Sequence, residues 1–224
     1  NYKGEIFLEI TTRSFDIKFY SGDKLNQMRL IKKKRRYLSD KNLSNINNKS
    51  SLIFTKKTNI IDNGLKVSVD LSNDNKICAY VAKKITSHLV FNKINYYRSA
   101  KFWKPLKPIN KSLVIEKDKF YILKSKEKIR IPDNLAGEMI PYDTKIGDFR
   151  AHYAGFFDPG FGDPNGSYAV LEVKTNETSF LLEDDQTIAR IKYEKLNKKA
   201  SVVYGRNIKS NYQNQKLALS KNFK

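Results

Sequence analysis

The chain has 224 residues and carries 43 Lys plus Arg against 23 Asp plus Glu, a net charge of +20. Its single cysteine, Cys78, excludes an intramolecular disulfide and fits a reducing compartment. No apolar run approaches the roughly twenty residues that span a bilayer, so a soluble cytoplasmic protein with one core plus an appendage is expected.

In chain order, residues 4–10 and 15–20 read as strands around Thr11-Thr12-Arg13-Ser14, and Ser21-Gly22-Asp23 turns the chain into a third strand over 25–30. The dense cluster Lys32-Lys33-Lys34-Arg35-Arg36 follows directly and reads as a solvated hinge. The remaining lysines are spread evenly along the chain, a compositional bias rather than a phosphate footprint, so a nucleic-acid partner is not expected. Ser39 is a good N-cap, and Leu43 and Ile46 lie three apart, which predicts a short bridging helix.

From Leu65 onward short β-rich runs recur at close intervals: 65–71, 77–81, 112–115, 120–123 and 128–131. Turn residues such as Ser72-Asn73-Asp74-Asn75 separate most of them. Regular short strands of this kind predict a closed or sandwiched all-β module. Lys101-Phe102-Trp103-Lys104-Pro105 reads as a loop, with Trp103 in core packing rather than as a stacking platform.

An internal repeat organises these elements. At an offset of 163 residues, Leu8-Glu9-Ile10 falls on Leu171-Glu172-Val173, while Ile17, Phe19, Leu25, Met28 and Leu30 fall on Phe180, Leu182, Ile188, Ile191 and Tyr193. The second copy is preceded by more than a hundred residues of strand-like sequence and the first begins almost at Asn1. The expected organisation is therefore an N-terminally truncated chain. Residues 1–37 are the C-terminal remnant of a first copy, 38–62 a bridging helix and linker, and 63–224 a complete second copy.

The stretch from His152 to Gly162 joins aromatic residues to an Asp158-Pro159-Gly160 turn, and ten residues later Glu172 stands inside the apolar run Tyr168-Ala169-Val170-Leu171-Glu172-Val173. Strand alternation alone leaves open whether that carboxylate points to solvent or inward to a site. Asp158-Pro159-Gly160 reads equally as an ordinary β-turn, and a lone His152 on a strand as a structural residue.

Four motifs in order carry a family resemblance: Phe120 to Gly137, His152 to Gly162, Val170-Leu171-Glu172, and Tyr212-Gln213-Asn214-Gln215. Together they resemble the dCTP deaminases of the dUTPase-like superfamily. The two-copy bacterial form is closest, with Leu8 to Phe15 and Leu25 to Arg29 as the end of copy one. The resemblance implies an all-β, dUTPase-like β-barrel or β-clip fold and hydrolysis of dCTP to dUTP and ammonia, which feeds dUMP and dTTP synthesis. It implies Glu172 as the catalytic glutamate, with Glu9 its counterpart in the first copy. Tyr153 and the backbone of Ala154 would contact the base, and Asp158 the sugar. Tyr204, Lys209, Tyr212 and Gln215 would belong to a tail closing over the phosphates. Mg²⁺ is implied only as companion of the triphosphate, and a homo-oligomer with sites between copies or subunits is the implied assembly.

Deamination at cytosine C4 needs an activated water, a proton for the leaving amine and donors for the developing charge. Zinc deaminases use His and Cys ligands in H-x-E and P-C-x-x-C motifs. With one Cys and two His this chain lacks that ligand set, so no zinc is expected. The alternative is a carboxylate acting as base and then acid, in a dry pocket that tunes its pKa.

One departure stands out. The family's Ser-Ser-x-x-Arg segment is absent, and Pro141 and Lys145 fall where Ser and Arg would be expected within Glu138 to Gly147. A composite site, drawing phosphate and arginine groups from copy one, would account for it. A dUTP diphosphatase, a bifunctional enzyme carrying dCTP to dUMP, and a non-catalytic nucleotide-binding relic remain as alternatives on the same scaffold.

Overall fold

The structure, a computed structural model, describes residues 3–26, 28, 37–141, 150–151, 155–206 and 212–224, with the side chains of 150 and 151 excepted. Its first half forms β1 (Ile17–Lys18), α1 (Asp40–Lys49), β2 (Ile53–Phe54), β3 (Leu65–Ser68), β4 (Ala79–Ala82), β5 (Leu89–Val90), α2 (Ser99–Phe102) and β6 (Trp103–Leu106). The second half adds β7 (Ser112–Ile115), β8 (Phe120–Ile129), β9 (Leu135–Pro141), β10 (Arg150–Ala151), β11 (Phe156–Phe157), β12 (Ser167–Lys174), β13 (Phe180–Glu183) and β14 (Thr187–Lys195). The fold is all-β with two short helices. Among the described residues no helix is long and apolar enough to cross a membrane.

One sheet runs β10-β12-β8-β4-β6 with β2 also paired to β8, and a second runs β11-β9-β14-β3. Alternation explains how they share a core. Tyr121, Leu123 and Ile129 of β8 and Ala169, Leu171 and Val173 of β12 face Leu65 and Val67 of β3 and Ile191 and Tyr193 of β14 within one buried cluster. A second cluster lies on the opposite face of the first sheet, where Phe120, Ile122 and Trp103 meet Phe15, Phe102 and Phe223. Residues close to the two ends of the chain thus cover a sheet face that would otherwise meet water.

The helix forms where Ser39 predicts it. Asn42 N donates to Ser39 Oγ at 3.4 Å, Asp40 lies in the first turn and Lys49 in the last, and Leu43 is buried in the main core. Asp40 also accepts from Asn63 N at 2.7 Å and Gly64 N at 3.0 Å, tying the helix to the approach to β3.

Several strand boundaries differ from expectation. Residues 4–10 form no strand, because no other described segment hydrogen-bonds along them; Ile6 and Phe7 stand 74% and 84% exposed. Only Ile17–Lys18 of the run 15–20 pairs, in parallel with Leu89–Val90. Leu25, Asn26 and Met28 are not in a strand, and the rest of 25–30, like the Lys32–Arg36 cluster, lies outside the described residues. The runs 120–123 and 128–131 merge into one ten-residue strand, since the polar middle still alternates: Ser125 and Glu127 face inward with partners while Lys124, Lys126 and Lys128 face outward. Residues 101–105 are the end of α2 and the start of β6 rather than a loop, yet Trp103 is indeed core, 4% exposed and edge-on to Phe15 at 5.1 Å.

Candidate active site

The outward face of the β8–β12 ladder holds the site. Glu172 pairs with Ile122 and Val170 with Lys124, so Glu172, Val170, Ile122 and Phe120 project to the same side of the sheet. That side opens into a cavity of about 750 Å³, closed in part by the segment Ile10–Phe15 and by the tail beyond Tyr212. Phe15 fixes the first of these, 5% exposed and edge-on to Phe102 and Trp103 at 5.3 and 5.1 Å. Behind it Leu89 N donates to Asp16 O at 2.8 Å and Phe91 N to Lys18 O at 3.0 Å.

The tail is fastened along its length. Gln213 grips the turn after β11: Gly162 N donates to its Oε1 at 3.1 Å, and its Nε2 donates to Gly160 O at 3.3 Å and Asp163 O at 3.1 Å. Gln215 N donates to Ser167 Oγ at 3.2 Å and its Nε2 to Tyr168 O at 2.9 Å, on β12 itself. Asn222 Nδ2 then donates to the carbonyls of Phe91 and Lys93 at 2.9 and 2.8 Å.

Asp158 to Phe161 is a β-turn, with Phe161 N donating to Asp158 O at 3.1 Å and Gly160 at φ +100°. Pro then Gly with positive φ is the order a type II turn requires. A Cβ at Gly160 would lie 2.3 Å from Val203 Cγ1 and 2.6 Å from Tyr204 O, so the glycine lets the tail approach. The turn reading of Asp158-Pro159-Gly160 therefore holds, and Asp158 lines the cavity at the same time.

Among the expected residues the structure brings Glu172, Asp158, Tyr204, Tyr212 and Gln215 into this one cavity. Glu9 is exposed and does not line it. Tyr153, Ala154 and Lys209, with His152 and Lys145, lie outside the described residues. Gln215 differs from expectation in one respect. Its amide donor is engaged by the Tyr168 carbonyl, and the atom left without a partner is the acceptor Oε1.

Glu172 has no hydrogen-bond or ion-pair partner among the described residues, and burial pushes its carboxyl above the usual carboxylate range. No opposite charge among the described residues compensates that burial. A carboxyl so held is a stronger base than an exposed one and carries a proton more readily, both of which suit proton transfer. Among the described residues no group of three His, Cys, Asp or Glu is arranged to hold a metal ion.

Sequence reasoning missed Gln213, Asn222 and the stretch Thr11–Ser14 as parts of the site. Gln213 and Gln215 flank Asn214 in a turn, so only the path of the tail shows which glutamine meets the Gly160–Asp163 turn and which meets β12. Arg13 carried no signal at all, since its neighbours read as a connection.

Comparison with protein families matches residues 39–223 to "2'-deoxycytidine 5'-triphosphate deaminase, C-terminal domain" and residues 1–34 to the corresponding N-terminal domain. Among solved structures, the crystal structure of 2'-deoxycytidine 5'-triphosphate deaminase from Agrobacterium tumefaciens aligns at 35% identity with a TM-score of 0.70, over 77% of this chain and 52% of that one. This chain thus spans about half the length of that relative. No curated protein sequence matches significantly.

Proposed function

Because the chain belongs to the 2'-deoxycytidine 5'-triphosphate deaminase family, with residues 39–223 matching its C-terminal domain, we propose that the protein hydrolyses dCTP to dUTP and ammonia with Glu172 as the proton-transfer group. The observation that carries this reading is a carboxyl without a partner among the described residues, raised by burial, in a cavity walled by aromatic residues. Glu172 takes a proton from water as the oxygen adds to C4 of the base. The same proton then passes to the amino nitrogen as the C4–N bond breaks and ammonia leaves. Burial favours the neutral carboxylic acid formed in between, which supports one group serving as base and then acid.

Phe120, Ile122 and Val170 exclude water around the carboxyl and offer apolar surface to a planar base. Asp158, at the turn, is the candidate for the sugar hydroxyl. Tyr204 and Tyr212 supply hydroxyl donors from the tail side. Mg²⁺ belongs to this reading as the companion of the triphosphate. So does assembly into an oligomer, favoured by the outer face of β7–β13, where the cross-strand pair Val114 and Leu181 is 53% and 54% exposed.

The test is incubation of the wild type and Glu172→Gln with dCTP and Mg²⁺ while ammonia, dUTP, dUMP and pyrophosphate are followed together. Ammonia release that is lost in the variant is the expected result. Release that persists in the variant removes Glu172 from the role, and pyrophosphate without ammonia would favour a diphosphatase instead.

A further inference from the structure

Cations are spread evenly along this chain, but anions are not. Between Asp74 and Glu116 stand nine Lys and Arg residues and no Asp or Glu, and no acid follows Glu194. All nine cations are exposed, and none is ion-paired among the described residues. Lys57, Lys124 and Lys126, by contrast, each hold a carboxylate within 2.6 Å. Counting lysines alone hides that asymmetry, and the expectation of no nucleic-acid partner rested on that count.

The fold gathers part of this set onto one edge. β6, with Lys104 exposed, is the last strand of the first sheet, and α2, with Arg98 at its N-cap and Lys101 in its last turn, leads into it. Ser99 N donates to Lys224 O at 3.2 Å and Lys224 N to Tyr97 O at 2.9 Å, which sets Lys224 beside Arg98. Asn95 N donates to Lys221 O at 2.8 Å, which sets Lys221 beside Lys93 and Tyr96. Asp16 meets Leu89 and Asp74 meets Lys111, both outside the stretch from Lys93 to Lys104. Lysines on an edge strand deter edge-to-edge pairing, which accounts for Lys104. It does not account for the apolar groups among the cations. Tyr96 and Ile94 are 59% and 55% exposed, and Lys93 Nζ lies 5.4 Å from the centroid of the Tyr96 ring. Tyr96 N donates to Asn222 O at 3.0 Å and its ring packs edge-on with Tyr97 at 5.0 Å, so the exposed ring is held in place.

We propose that the surface from Lys93 to Lys104, completed by Lys221 and Lys224, binds single-stranded nucleic acid. Arg98, Lys101 and Lys104 take phosphates, and Tyr96 stacks on a base. A ring set among cations suits a single strand, because paired bases keep their faces stacked on one another; a duplex needs the cations alone. α2, four residues long, offers no amphipathic helix to a membrane. None of these side chains lines the Glu172 cavity, so the proposal stands apart from the deaminase reading.

The experiment measures binding of a labelled oligodeoxythymidylate by fluorescence anisotropy over a range of salt. Wild type is compared with Tyr96→Ala and with a face variant carrying Arg98→Gln, Lys101→Gln and Lys104→Gln. A control of equal net charge carries Lys41→Gln, Lys195→Gln and Lys198→Gln, three exposed positions on α1 and at or just past the end of β14. Emission of Trp103, the only tryptophan and 4% exposed, reports that each variant is folded. Loss of three phosphate contacts should lower the slope of log K against log salt by about 2 in the face variant and leave it unchanged in the control. Tyr96→Ala should weaken binding about tenfold or more with the slope unchanged. Equal slopes in the two triple variants would overturn the proposal, since net charge alone would then attract the polyanion. So would no binding by the wild type, a duplex preferred to the single strand and indifferent to Tyr96→Ala, or tighter binding to phosphatidylserine vesicles.

Discussion

Glu127 and Glu172 sit on neighbouring strands of one sheet and meet opposite fates. Glu127, on β8, faces the main core at 3% exposure and accepts from Lys57 Nζ at 2.6 Å, Ser68 N at 2.9 Å and Ser68 Oγ at 2.6 Å. Lys57 also bonds Asp185, and those two acidic partners raise its pKa even though burial, the largest single influence, acts to lower it. Glu172, on β12, faces the cavity with no partner among the described residues and with its pKa raised by burial. A buried carboxylate that the fold satisfies is structural; one that the fold desolvates and leaves bare is held for something else.

The largest expected effect that tests this contrast is catalytic. Glu172→Gln should lower ammonia release by about a thousandfold or more, within the range general acid–base catalysis contributes, as read by coupled ammonia assay. Next comes stability: Glu127→Gln removes a buried carboxylate from its partners Lys57 and Ser68, and urea denaturation should give a loss of about 1–3 kcal/mol, with cavity chemistry altered only as folded protein is lost. Glu172→Gln should do the reverse and raise the unfolding midpoint at neutral pH. If both variants destabilise alike, the contrast between the two glutamates fails.

The pH dependence of that stabilisation has a fixed sign. The folded-state pKa of Glu172 is raised above its unfolded value, so its relative contribution to stability is fully present below the unfolded pKa and is lost as pH rises through the folded one. Thermal midpoints of wild type and Glu172→Gln should therefore converge in acid, below the ordinary glutamate range near about pH 4, and separate above it with the variant higher. The smallest effect belongs to the tail. Gln213→Ala removes three contacts to the turn after β11, and should raise KM for dCTP about three- to tenfold with little change in kcat. Faster amide exchange over 212–224 would accompany it.

Much of this was legible in sequence where the cause is local. Ser39 announces α1 because a hydroxyl N-cap acts within three residues, and period-two alternation exposes Tyr168 to Val173 as a strand while leaving open which way Glu172 points. The continuity of 120–129 as one strand was not legible. Its polar middle read as a gap between two runs, and only distant partners such as Ser68 and Asp184 make that stretch compatible with pairing. Arg13 was equally silent, because what makes it part of the site is the packing of Phe15 against residues about ninety positions away. The repeat located Glu172 and Glu9 together; the structure separates them, because Glu172 has β8 to pair with and Glu9 has no such strand among the described residues.

The aromatic cluster that joins Phe15, Trp103 and Phe223 has a consequence for biosynthesis. The main core draws its fully buried residues from Leu43 to Tyr193, so a nascent chain can condense it before Phe223 is made. The cavity cannot close until Phe223 has emerged and returned to a phenylalanine made more than two hundred residues earlier. A translating polypeptide therefore forms its core before its pocket, and the arrival of Phe223 is the event that completes the cavity wall.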